Sequence, residues 1–232
     1  MGVRKSKKNS YEHCKGRGLI EQVDIESYKH WDYPWVIINS DVKSGMRVLD
    51  AGSGRGFLQV FLSKMGCDVF SVDIRNLSSK LVTRIQRILK IKENEQRVMN
   101  KINRKYNVNI KFKKESISRL SFNDSFFDVV FCISVLEHLK KNDVIKSVKE
   151  MNRVLKPGGT LALTVDYNLS SSKDKIGFNE KDIMEYIIEP SGLNLKGKIN
   201  LDIENWNEML QKINRWFNTK NEAISAGIIL KK

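Results

Sequence analysis

Two aspartates and a cluster of glycines are the residues of this chain whose types and spacing point most directly to chemistry. Asp50-Ala51-Gly52-Ser53-Gly54-Arg55-Gly56 follows a short apolar run and leads into a helical pattern, and Asp73 closes the next apolar run, 19 residues after Gly54. Closely spaced glycines allow a tight turn, admit a ligand close to the backbone and leave helix N-terminal amides available. A phosphate-binding P-loop is excluded because no Gly-Lys-Ser/Thr follows. A dinucleotide loop fits poorly, since Phe57 stands where its third glycine belongs and Asp50 would repel a pyrophosphate. A carboxylate at Asp50 suits a ligand with an ammonium and a sulfonium centre and no phosphate. Asp73, at a strand end, is placed to accept both hydroxyls of a ribose.

Those residues need strands to hold them, and the chain supplies the pattern. Strands are predicted at Arg47–Asp50, Asp68–Asp73, Asn109–Lys113, Phe127–Ile133, Thr160–Val165, Leu193–Ile199 and Ala223–Leu230. Between them lie a helix in the stretch LQVFLSKMG ending at Gly66 and an apolar stripe at Leu81, Ile85, Ile88 and Leu89. Val98 and Ile102 continue that stripe or open a second helix. Val144, Ile145, Val148, Met151 and Leu155 mark a helix capped by Asn142 or Asp143 and stopped by Pro157-Gly158-Gly159. Another helix starts at Asn179, with Asp182 in its first turn and Phe178 facing Ile183, and ends at Pro190 and Gly192. Trp206, Met209, Leu210, Ile213 and Phe217 share a further helical face. Alternation of strands and helices predicts an α/β fold: a doubly wound, mostly parallel sheet of seven strands with helices on both faces and an antiparallel C-terminal edge strand.

Ahead of the first strand, residues 1–10 read as a basic tail, and residues 11–40 carry Tyr11, Tyr28, Trp31, Tyr33 and Trp35. Pro34 predicts an interrupted helix there unless it occupies a first turn. The expected organisation is a tail and aromatic cap over residues 1–40, then one domain over 41–232 with a basic helical extension at 80–108.

The whole chain has 232 residues, 41% hydrophobic and 29% charged, with a net charge of +14. This suits one globular core and argues against global disorder. Residues 1–18 contribute +5 of the charge and residues 80–114 contribute +10. Nucleic acid, anionic lipid or a phosphorylated small molecule would each respond to such a field, and so would plain solvent. Three isolated cysteines (Cys14, Cys67, Cys132) and three histidines offer no disulfide scaffold and no zinc site. With no apolar run long enough to span a bilayer and no apolar segment behind the basic N-terminus, a soluble protein of the reducing cytoplasm is expected.

From Val48 to Leu163, and more faintly to the C-terminus, the chain resembles the class I methyltransferases that use S-adenosylmethionine. VLDAGSGRG is similar to the family's first motif, VFSVDI to its second strand with the ribose-binding acid, LSFNDSFFDVVFCISVLEHL to the stretch around the fourth strand, and MNRVLKPGGTLALT to the helix, turn and fifth strand. The resemblance implies S-adenosylmethionine as cofactor and S-adenosylhomocysteine as product. It assigns Gly52, Gly54 and Gly56 to the methionine and ribose side, Asp50 to the methionine ammonium and Asp73 to the ribose, with Ser53 and Ile74 also among the cofactor-binding residues. Ile133 and Ser134 fall beside the methionine part. The family's adenine-binding aspartate falls at Ser116, a departure from the pattern, with Ile117 supplying a backbone amide and Glu115 as an alternative contact. Glu137 and His138 match a Glu-His pair at the mouth of the site.

His138 and Asp166 are the candidate bases, and Tyr11, Arg17, Tyr28, Trp31 and Tyr167 the candidate acceptor contacts. His13 and His30 could also reach over the pocket. No carboxylate cluster calls for a metal. CISVLEHL stands where base-modifying enzymes carry Asn/Asp-Pro-Pro-Tyr/Phe/Trp, which favours a small-molecule, sugar, glycan or lipid-like acceptor, an anionic one included. RNA modification through the basic segment 80–114 and a noncatalytic binding role are the alternatives.

Overall fold

The computed structural model describes residues 29–54, 57–74, 95–168, 177–197 and 223–232. The expectations for the N-terminal tail, the stripe from Leu81 to Leu89 and the face from Trp206 to Phe217 lie outside the described residues. Seven strands form one sheet: β1 (Arg47–Ala51), β2 (Asp68–Val72), β3 (Ile110–Lys113), β4 (Phe127–Ile133), β5 (Leu155–Asn168), β6 (Asn194–Leu195) and β7 (Ala223–Lys231). Their spatial order is β3-β2-β1-β4-β5-β7-β6. Strands β1 to β5 pair in parallel, and β7 runs antiparallel to both β5 and β6. The C-terminal strand is therefore antiparallel, as expected, and lies one place in from the edge, with the two-residue β6 outside it.

Helices cover both faces because the central strands β1 and β4 are buried on both sides. One face carries α1 (Lys29–Asn39), α2 (Leu58–Lys64) and α3 (Glu95–Tyr106), whose Tyr33, Val36, Phe61, Leu62 and Met99 bury against Val48, Val69, Phe131 and Ala162. The other carries α4 (Lys141–Val154), α5 (Glu180–Ile183), a π-helical turn (Met184–Ile188) and α6 (Glu189–Ser191). Here Val144, Val148, Met151, Ile183 and Ile187 meet Leu49, Val130, Leu163 and Val165.

Four local expectations need correction. Pro34 lies inside α1, which is helical from Lys29 to Asn39. An interior proline costs about 3 kcal/mol. Burying Tyr33 and Val36 returns roughly 1.5–3 kcal/mol each, so packing wins. Helix α4 is entered from Lys140, which makes no side-chain cap, and Asn142 and Asp143 fall inside its first turn. That helix yields directly to β5 at Leu155, ahead of Pro157. Pro157-Gly158-Gly159 instead sits in an irregularity of β5, between the pairs Phe127↔Leu155 and Val129↔Thr160. Pro190 lies within the helical run, and Gly192, left-handed at φ 65°, ends it. Asn179 and Asp182 do form a reciprocal capping box at the start of α5.

Helix α1 runs down the sheet from Asp32, bonded to Ser134 and Ser225, to Asn39 beside Lys196. Midway, the Trp35 ring lies over Gly227 of β7, so close that a Cβ there would fall 2.4 Å from the ring. Gly227→Ala is expected to destabilise the fold by roughly 1–3 kcal/mol through overpacking. A urea melt checks this, and Trp35→Leu in the same chain should recover part of the loss.

Candidate functional site at the carboxyl edge of the sheet

The glycine loop opens where β1 ends. Gly52 and Ser53 both donate backbone N–H bonds to the Val72 carbonyl, at 2.9 and 3.0 Å, which folds the loop back over β2. Gly52 has φ 78° and Gly54 φ 53°, left-handed values that glycine adopts without steric cost. Space also demands glycine at residue 52, since a Cβ would lie 2.6 Å from Val135 Cγ2. That contact brings the turn after β4 against the floor of the loop. Ser53 accepts a 2.7 Å bond from Ser71 Oγ, tying the loop to β2 from inside.

Asp50 and Asp73 are each 3% exposed, at the ends of adjacent parallel strands. Asp73 Oδ2 accepts the Gly54 N–H at 2.7 Å, so the second acid and the loop are one unit. Ile74, just beyond, is 62% exposed, an apolar side chain left open beside that carboxylate. Gly56 lies outside the described residues.

The loop after β3 places Ser116 on the surface, its hydroxyl 2.8 Å from Ser118 Oγ. The Glu115 carboxylate accepts the Ser121 N–H at 3.4 Å, and the Ile117 side chain is buried in the core. Arg153 of α4 anchors this region. Its guanidinium donates to the Leu120 and Phe122 carbonyls, to Asp124 and twice to Glu150, all at 2.7–2.9 Å.

After β4, Ile133 is buried and Ser134 turns the chain at φ 50°. A 3-10 turn follows over Leu136–His138, with both Glu137 carboxylate oxygens buried and His138 exposed. Asp166 is half-buried on β5, opposite Ser225 of β7. Tyr167, proposed from sequence as an acceptor contact, is 3% exposed. Successive strand residues face opposite ways, so Tyr167 points away from Asp166 into the core with Phe178 and Ile183. Burial, with the nearby Glu180 charge, raises its phenol above the ordinary value. Tyr11, Arg17 and Tyr28, with His13, lie outside the described residues; of Trp31 and His30 only the backbone, in α1, is described.

Sequence reasoning passes over Asp32, which is 2% exposed and accepts the hydroxyls of Ser225 (2.7 Å) and Ser134 (3.3 Å). The one signal it offers in sequence is its being the sole acid between residues 27 and 40. Among the described residues no group of three or more His, Cys, Asp or Glu is arranged to hold a metal ion. No helix among them is long and apolar enough to cross a membrane.

This edge offers a narrow glycine floor, two buried carboxylates and an open apolar side chain, and it fits a cationic nucleoside better than a phosphate. Residues 49–163 match the family model described as a methyltransferase domain. The chain is 29% identical over 121 residues to the ubiquinone biosynthesis O-methyltransferase of Xanthomonas campestris, covering 52% of this chain and 43% of that one. It is 30% identical over 149 residues to the putative methyltransferase YqeM of Bacillus subtilis, covering 63% and 51%. The chain thus spans about half the length of the curated relatives it matches. Among solved structures, the [4+2]-cyclase SpnF shares the fold at a TM-score of 0.64 and 13% identity, over 98% of this chain and 96% of that one. With the motif match laid over that sheet order and those strand-end carboxylates, the chain belongs to the class I methyltransferases, whose cofactor is S-adenosylmethionine.

Proposed function

We propose that this protein transfers a methyl group from S-adenosylmethionine to an oxygen of a small sugar-, glycan- or lipid-like acceptor. The observation that carries the reading is the Asp73 carboxylate, locked to the Gly54 amide beside the Gly52 floor. In this reading Asp73 would hold the ribose hydroxyls and Asp50 the methionine ammonium, with Ile74 against the base. Ile117 or Ser116 would meet the adenine edge, and Ile133 with Ser134 the methionine chain. When bound, the cofactor supplies an electrophilic methyl on a sulfonium sulfur. The chain's own residues align the acceptor and take its proton as the new C–O bond forms. In this reading His138, exposed in the turn after β4, or Asp166, half-buried on β5, would take that proton. Tyr11, Arg17, Tyr28 and Trp31 would be the acceptor contacts, as the sequence suggests. The name of the Xanthomonas relative supports an oxygen acceptor.

A second reading, RNA as acceptor, draws on α3. Arg97, Lys101, Arg104 and Lys105 are all exposed on that helix, at spacings that bring them to one side. One experiment separates the readings. The protein is incubated with methyl-labelled cofactor and a cell extract, and label is followed into small-molecule, lipid and RNA fractions. We expect label in the small-molecule or lipid fraction, with His138→Ala or Asp166→Asn lowering turnover by about 100-fold while cofactor affinity holds. Label in RNA alone would establish the second reading. Cofactor binding with no label anywhere would leave a noncatalytic binding protein.

A further inference from the structure

We infer that Asp32 is a positioning residue for the methionine end of the cofactor site, acting through Ser134. The inference rests on the cofactor reading above and extends it to a residue of the N-terminal helix. Asp32 is almost wholly buried, yet it belongs to an otherwise apolar helix face that packs well through Tyr33 and Val36. Burying a carboxylate costs several kcal/mol where apolar packing alone would hold a helix to a sheet. What the carboxylate does instead is bridge three elements. Oδ2 accepts Ser134 Oγ from the turn after β4, and Oδ1 accepts Ser225 Oγ from β7. Thr164 of β5 closes the group, accepting the Ser134 N–H at 2.9 Å on its carbonyl and lying 3.5 Å from Ser134 Oγ.

Ser134 is the residue this group restrains. Its φ of 50° is a left-handed conformation that costs a side-chain-bearing residue about 1 kcal/mol or more. Such a turn persists where its surroundings over-determine it, and here both its N–H and its hydroxyl are held. The next residue, Val135, is the one that abuts Gly52. A continuous run of contacts therefore joins Asp32 to Ser134, Val135 and the glycine floor. Along the edge, Asp73 lies towards β2 and β3, and the Asp32 group lies over β4, β5 and β7. Loss of Asp32 should loosen the methionine end and leave the nucleoside end as it was.

The test is calorimetric titration of the full chain with two ligands, S-adenosylmethionine and 5′-methylthioadenosine, which shares the nucleoside but lacks the amino-acid arm. For Asp32→Ala we expect S-adenosylmethionine to bind about tenfold more weakly and methylthioadenosine to stay within about twofold of wild type. Asp32→Asn, which keeps one acceptor, should fall between. Equal losses for both ligands, or no loss for either, would overturn the inference. If Asp32→Ala does not fold by circular dichroism, Asp32→Asn and Ser225→Ala provide the same comparison, and the same two outcomes decide it. A wild-type chain that binds no S-adenosylmethionine would defeat the cofactor reading itself, a different result from a bound cofactor with no selective loss.

Discussion

Asp73→Ala is expected to weaken S-adenosylmethionine binding by about 100- to 1,000-fold, the loss of two hydrogen bonds to a charged acceptor. The carboxylate lies at the carboxyl end of β2, nearly sealed from solvent, where water competes poorly for it. The Gly54 amide already occupies Oδ2, which fixes the direction of the group before any ligand arrives. Pre-set direction is what gives a single side chain so large an effect. Asp73→Asn keeps the shape and one acceptor but not the charge, and should lose about tenfold. Titration calorimetry reads both, with circular dichroism to show that the loop has not simply unfolded. Affinity for Asp73→Ala within threefold of wild type would remove the ribose assignment and, with it, the orientation of the whole site.

Arg153→Met should be the most damaging substitution for stability away from the apolar core, at roughly 2–4 kcal/mol. The figure sits below that of a fully buried pair because the Arg153 and Glu150 side chains are 30% and 22% exposed. Methionine preserves the length and the packing, so what is lost is the fork of donors that satisfies two carbonyls and two carboxylates. The change also carries a pH signature. The Arg153 guanidinium beside Glu150 holds its carboxyl below the ordinary value. A carboxylate whose folded value is depressed adds stability at pH above its unfolded value, about 4.3, and that stability fades as pH falls through the folded value. The gap between wild type and Arg153→Met in urea melts should therefore be constant from pH 7 to about 5 and narrow below about 4. A gap that stays constant down to pH 3 would mean that the ion pair contributes nothing and the carbonyl bonds carry the effect.

The features legible in the sequence are those that local chemistry specifies. Strand β4 reads as a near-continuous apolar run because both its faces are covered, and its observed bounds, Phe127–Ile133, match the expected ones. Asp50, Gly52, Gly54 and Asp73 are legible because a left-handed turn and a strand-end acid constrain residue type at fixed spacing. What local pattern does not reveal depends on partners distant in sequence. Pro34 argues locally against a helix, and only the sheet beneath α1 outweighs it. The extra residues of β5 around Pro157 look like a stop signal until Asp128 is seen accepting Arg47 N–H and Lys156 Nζ across the irregularity. Tyr167 and Asp166 are neighbours in sequence, and the pleat sends them to opposite faces. Asp32 reaches Ser134 and Ser225 across separations of 102 and 193 residues, which no local pattern encodes.

The placement of β7 between β5 and β6 bears on how the chain is born. At about 5–20 residues per second, a ribosome would deliver Ser225 roughly 10 to 40 s after Asp32. Throughout that interval the apolar side of α1, with Trp35 at its middle, has been made and the strand carrying Gly227 has not. The nascent protein must carry a helix with part of its bed missing, a species that invites chaperones and wrong partners, until β7 slides in beneath it.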